Sequence, residues 1–195
     1  MPNKKTLPPV ELDEALAAEY NYIVQTAAQA NEDRARIASF YLIAVGSLVA
    51  TILGTQFLDP EKFTQTVKLL FSGLFILLTL MGTSTVVQLA RLRAAWYESM
   101  LAMNQIKDFM MSQNKELKHA FRWTTSTLPA KYKTDSISYF QAREAAVISG
   151  ITFGAAMFFA QFAMTPLSVA TWVVSAGTGI IVAFLQLSIY KRILK

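Results

Sequence analysis

Four stretches of this chain, residues 37–58, 69–90, 145–163 and 167–190, contain no Asp, Glu, Lys, Arg or His. A helix needs about 20 predominantly apolar residues to cross the hydrocarbon of a bilayer, and each stretch meets or closely approaches that length. No water is available there to satisfy the peptide groups, so a spanning segment must close its hydrogen bonds internally. The four stretches therefore predict an all-α, polytopic membrane protein with four transmembrane helices. Composition agrees. The 195 residues are 53% hydrophobic and 16% charged, with a mean hydropathy of +0.35, whereas an average soluble domain is about 25% charged.

The cations set the orientation. Lys4, Lys5, Arg34 and Arg36 precede the first span. Arg91, Arg93, Lys107, Lys115, Lys118, Arg122, Lys131, Lys133 and Arg143 lie between the second and third. Lys191, Arg192 and Lys195 follow the fourth. Only Lys62 and Lys68 fall on the other side. Positive residues stay cytoplasmic, so a multi-pass membrane protein with both termini and the central segment in the cytoplasm is expected. The formal net charge of +5 then reads as topology and as attraction to anionic lipid headgroups, with no need for a nucleic-acid partner. The first 34 residues hold no apolar run of signal-peptide length, so the mature chain is expected to start at or near Met1.

These boundaries divide the chain into five parts: an N-terminal cytoplasmic amphipathic helix (1–36), a first transmembrane hairpin (37–90), a cytoplasmic helical extension and loop (91–144), a second hairpin (145–190) and a cytoplasmic tail (191–195). In the first part Leu12, Leu16, Tyr20, Ile23, Ala27 and Ala30 form one apolar stripe at helical spacing. Pro8-Pro9 and the acidic residues Glu11, Asp13 and Glu14 suit a helix start. Asn31 suits the cap of a second helix, unless the first runs straight into span one. After span two, Leu89, Leu92, Trp96, Met103, Ile106 and Met110 continue the helical pattern, so the helix is expected to project to about Ser112. A short helix from an Asn114 cap to Trp123, a loop, and an Asp135 or Ser136 cap ahead of span three follow. The connections "TQFLDPEKFTQT" and "MTPLS" are too short to hold an extracytoplasmic domain.

Small residues recur at intervals of four within the spans: Gly46, Ala50 and Gly54; Ala142, Ala146, Gly150 and Gly154; Ser175, Gly179 and Ala183. Such stripes let helix backbones approach closely, where van der Waals contact replaces the hydrophobic force that lipid removes. Each stripe is expected to press on another helix, in this chain or in a second one. Ser72, Thr79 and Thr83 share a face of span two, and Thr79 and Thr83 are the candidate lining of an ion path. The basic segment around Lys115, Lys118, Arg122, Lys131 and Lys133 is a candidate surface for anionic lipid or a cytosolic partner.

Chemistry is sparse. With no cysteine, disulfides, thiolate metal sites and cysteine nucleophiles are excluded. The single histidine, His119, lies outside the spans, so intramembrane haem ligation by histidine is excluded too. No HExxH, phosphate-binding glycine loop or GxSxG occurs, and no cofactor is expected. The spans carry no ionisable side chain from Asp, Glu, Lys, Arg or His, whereas pumps and transporters place such groups inside the bilayer. The expectation is a non-catalytic integral membrane protein acting through helix–helix assembly, as a homo-oligomer or as an accessory subunit of a membrane complex. The alternative is an oligomeric pore or membrane-perturbing effector gated by its cytoplasmic helices.

Arg91, Arg93, Trp96, Tyr97 and Glu98 in "RLRAAWYES", just after span two, resemble the bacterial SLATT proteins over about the first 110 residues. The resemblance implies a membrane hairpin with flanking cytoplasmic helices and an effector role in antiviral defence. The second hairpin departs from that pattern.

Overall fold

A computed structural model describes residues 12–58 and 64–195, and the side chains of all of these except 55–58. Lys4, Lys5, Pro8-Pro9, Glu11 and Lys62, with the middle of the "TQFLDPEKFTQT" connection, lie outside the described residues. The described chain is helical: α1 (Leu12–Leu58), α2 (Gln65–Gln113), α3 (Ile137–Met164) and α4 (Val169–Leu194), with two short 3-10 turns, Lys115–His119 and Thr125–Thr127, between α2 and α3. All four α-helices are long and apolar enough to span a membrane.

Hydroxyl side chains fit these helices because each can return its proton to the preceding turn. Thr51 donates to Ser47 O at 2.8 Å, Thr83 to Thr79 O at 2.9 Å and Ser188 to Phe184 O at 2.8 Å. A hydroxyl so bonded needs no water, which makes it tolerable inside hydrocarbon. Helix ends carry the expected polar caps. The Ser136 hydroxyl accepts from Tyr139 N at 3.2 Å and Ser168 accepts from Thr171 N at 3.4 Å. Pro166 lies in the short link between α3 and α4, where the helical ladder stops.

Of the two alternatives at Asn31 the structure takes the continuous helix: Asn31 is interior to α1, because nothing in "QANEDRAR" breaks the helical ladder. One element differs from the sequence reading. The turn capped by Asn114, whose side chain accepts from Glu116 N at 3.0 Å, is 3-10 rather than α and ends at His119 instead of Trp123. Five residues with one cap are too few to propagate an α-helix.

The described chain forms two compact units. The first joins the start of α1 to 95–129. Within it Ile23, Ala27, Ala30 and Met103 are buried, whereas Leu12 and Met110 are exposed. Asn104 Nδ2 donates to Thr124 O at 3.2 Å, and Thr125 N donates to the Asp108 carboxylate at 3.3 Å, which ties the segment after the 3-10 turn back to α2.

The second unit comprises 32–94 and 130–195 and holds the four apolar stretches. Its core has two parts. Tyr41, Val86, Leu89, Ala142, Ala146 and Tyr190 form one; Ile52, Phe71, Phe75, Leu78 and Ala156 form the other, with Phe159 stacked on Phe75 at 5.7 Å. Around this core the large apolar residues point outward: Ile43, Leu80, Ile151 and Phe184 are all more than 60% exposed. A water-soluble protein avoids a contiguous apolar surface of that extent.

Candidate functional site

The closest helix contact is between α3 and α4, and glycine makes it possible. A Cβ built on Gly150 would lie 2.5 Å from Gly179 O and 3.0 Å from Ala183 Cβ. One on Gly154 would lie 2.9 Å from Ser175 O, and one on Gly179 would lie 2.5 Å from Gly150 O. The stripes containing Gly150, Gly154, Ser175, Gly179 and Ala183 thus meet backbone to backbone. Ala142 and Ala146, at the start of the same α3 stripe, are fully buried among residues of α1, α2 and α4.

The α1 stripe is different. Gly46, Ala50 and Gly54 are exposed, and a Cβ added at Gly46 or Gly54 would meet no atom within 4 Å. Among the described residues no helix covers that face.

Between the two core clusters runs a seam of polar side chains. Thr79 Oγ1 donates to Phe75 O at 2.9 Å and lies 3.0 Å from Thr152 Oγ1. The Ser149 hydroxyl donates to Thr79 O at 3.1 Å. From α4, Gln186 Nε2 donates to Thr83 Oγ1 at 2.8 Å and to Ser149 Oγ at 2.7 Å. Lower in the bundle, Ser72 Oγ donates to Ala156 O at 2.9 Å. The candidate lining residues Thr79 and Thr83 are therefore engaged in bonds that join α2 to α3 and α4. Gln186 is 2% exposed, and its Oε1 finds no hydrogen-bond partner among the described residues.

Gly82 completes the seam and was not among the residues singled out by sequence. A Cβ there would lie 2.5 Å from Tyr41 Oη and 2.6 Å from Ser149 Cβ, so α1, α2 and α3 converge on it. It belongs to no four-residue series of small side chains; its only signal is a glycine inside a long helix, where it costs about 1 kcal/mol relative to Ala. The sequence also gave no sign of Tyr41, which is 1% exposed.

At the end of the second unit nearest 130–139, tyrosines cluster. Tyr139 lies 6.1 Å from Tyr132 and 6.1 Å from Tyr190, and the Tyr190 hydroxyl is 3.0 Å from Ser138 Oγ. Burial, and then the neighbouring Tyr139, hold the Tyr132 hydroxyl above its ordinary pKa. Arg93, 6% exposed, donates from Nε to Lys131 O at 3.2 Å.

The five candidate patch residues divide between the units. Lys115, Lys118 and Arg122 belong to the first, Lys131 and Lys133 to the second. Arg122 lies over the Trp123 ring and Lys133 pairs with Asp135 at 3.2 Å. His119 closes the 3-10 turn, and among the described residues no group of His, Asp and Glu is arranged to hold a metal ion.

No family model matches the chain, and neither a curated protein nor a solved structure is found that matches it.

Proposed function

We propose that this chain is a non-catalytic multi-pass membrane protein that works by assembling with further membrane helices, from copies of itself or from a partner subunit. The observation that carries the reading is the open α1 face. Gly46, Ala50 and Gly54 form a small-residue stripe of the kind that seats a helix backbone, yet an added Cβ at either glycine touches nothing within 4 Å. The comparable stripe pair on α3 and α4 is fully used inside the chain. Basic residues at the ends of the spans support an orientation with both termini in the cytoplasm.

The test is the mass of the protein extracted from its native membrane in mild detergent, with identification of every chain that accompanies it. A closed set of copies, or another polypeptide in fixed ratio, is expected; a strict monomer with no companion overturns the reading. Replacing Gly46 and Gly54 together by Leu is expected to weaken association, because bulky side chains keep a second helix backbone from approaching, while leaving the fold of the single chain unchanged.

A gated pore fits less well. Thr79 and Thr83, the side chains it would use, are spent on interhelical and back-bonded contacts. Conductance of the reconstituted protein that falls on Thr79→Leu and Thr83→Leu would restore that reading.

A further inference from the structure

On the side of α3 and α4 turned away from the polar seam, the two helices enclose a groove of about 830 Å³. Its floor is the glycine contact: Gly150, Gly154 and Gly179 bring the backbones so close that no side chain fills the crease. Ile151, Phe158, Ile180 and Phe184 rise along it. Phe158 and Trp172 meet at 4.6 Å at the far end. Arg143 and Tyr139 lie at the other. From Arg143 to Phe158 the helix rises about 22 Å at ~1.5 Å per residue. That exceeds the ~15 Å depth of one leaflet's hydrocarbon, half of about 30 Å.

The mouth is cationic and uncompensated. Arg143 is exposed and its guanidinium lies over the Phe140 ring at 4.9 Å; it makes no ion pair among the described residues. The adjacent carboxylate does not help, because Glu144 faces a separate small cleft with Ala38, Tyr41 and Gln141. Tyr139, one turn before Arg143 on the same face, packs its ring on Tyr132 and Tyr190, and its hydroxyl has no hydrogen-bond partner among the described residues. On α4, Lys191 follows Leu187 of the groove by one turn and rests over the Tyr132 ring.

We propose that this groove is a binding site for one anionic phospholipid of the cytoplasmic leaflet, its acyl chain along the glycine floor and its phosphate on Arg143 and the Tyr139 hydroxyl. An apolar trough with unpaired cationic and hydroxyl donors at one end is complementary to a molecule with a long hydrocarbon tail and an anionic head. A second copy of the chain is a poorer occupant. Copies inserted in one orientation bring the same basic end to the same level, so cation would meet cation. The site rests on the membrane reading but not on assembly, since every residue in it comes from one chain.

The test is native mass spectrometry of the full chain in detergent, titrated with phosphatidylglycerol and with phosphatidylcholine of identical acyl chains. Mass reports oligomeric state and bound lipid separately, so assembly and lipid binding succeed or fail independently. About fivefold tighter retention of phosphatidylglycerol is expected, the scale of one cation near an anionic surface. Arg143→Gln should bring that preference close to unity. Ala176→Trp, which fills the exposed α4 wall of the groove, should weaken both lipids. Tyr139→Phe provides a second variant, expected to reduce retention of both lipids by about two- to tenfold, the loss of one hydrogen bond to the phosphate they share. Equal retention of the two lipids, or an Arg143→Gln protein that keeps the preference, overturns the proposal. So does displacement of the lipid by millimolar glycerol phosphate, which would assign the site to a free anion.

Discussion

Glycine means three different things in this chain. At Gly150 and Gly179 the space a methyl would need is occupied by a carbonyl oxygen of the facing helix, and backbone cannot swing aside. Gly150→Ala is expected to destabilise the bundle by about 1–3 kcal/mol, the cost of overpacking, read as a lower SDS fraction at the unfolding midpoint. At Gly82 the obstacles are Tyr41 Oη and Ser149 Oγ and Cβ. Ser149 Cβ is fixed to its own backbone and Tyr41 is buried, so Gly82→Ala should cost a similar amount, about 1–3 kcal/mol, in the same titration. At Gly46 there is no obstacle, and Gly46→Ala should be neutral or stabilising by up to about 1 kcal/mol, because Ala is the better helix former. Gln186 is a fourth case. Its loss removes two interhelical donors, but Thr83 and Ser149 keep their bonds to Thr79 O and an unpartnered Oε1 goes with it. Gln186→Leu should therefore cost no more than about 1 kcal/mol, the upper part of the range measured for hydrogen bonds between membrane helices.

At the scale of elements, the described helices were legible from apolar runs, breakers and caps, and their contacts were not. Apolar content and the Pro166 link indicate α3 and α4, and of the two cap candidates in the sequence, Asp135 and Ser136, the structure uses Ser136. Because Ser136 also donates to Lys133 O at 2.7 Å, Ser136→Ala should cost about 1 kcal/mol and fray the first turn, seen as faster amide exchange over 137–140. The stripes were legible as stripes. Spacing of four identifies a face narrow enough for a helix, but it is silent about whether this chain presents one there. The α3 and α4 stripes meet each other; the α1 stripe meets no helix among the described residues. Asn31 shows the opposite limit, since capping residues are also tolerated inside a helix when the turns on both sides are held by packing.

At the scale of the whole molecule, outward-facing Ile43, Leu80, Ile151 and Phe184 and an inward polar seam reverse the usual distribution for a protein in water. The orientation proposed from cation placement is directly testable, because the chain has no cysteine. Single cysteines at Ser126 and at Lys195 should react with an impermeant maleimide only when the cytoplasmic face is exposed, and one at Thr165 only from the other side. Labelling of Ser126 and Thr165 positions from the same side would refute four crossings.

What the sequence determined by itself was four helices long and apolar enough to cross a membrane. Four charge-free stretches of that length are costly to expose to water, and a segment that crosses lipid must close its backbone bonds internally. The tertiary structure alone decided which small faces are used and which stay open, and that Thr79, Thr83, Ser149 and Gln186 close on one another. It also decided that Arg143, without an ion pair among the described residues, stands at the end of an apolar groove. These outcomes depend on the rotation of each helix about its own axis. That rotation is set by close fit between facing side chains and backbones, and the spacing of residues along one helix does not reveal which face of another helix will meet it.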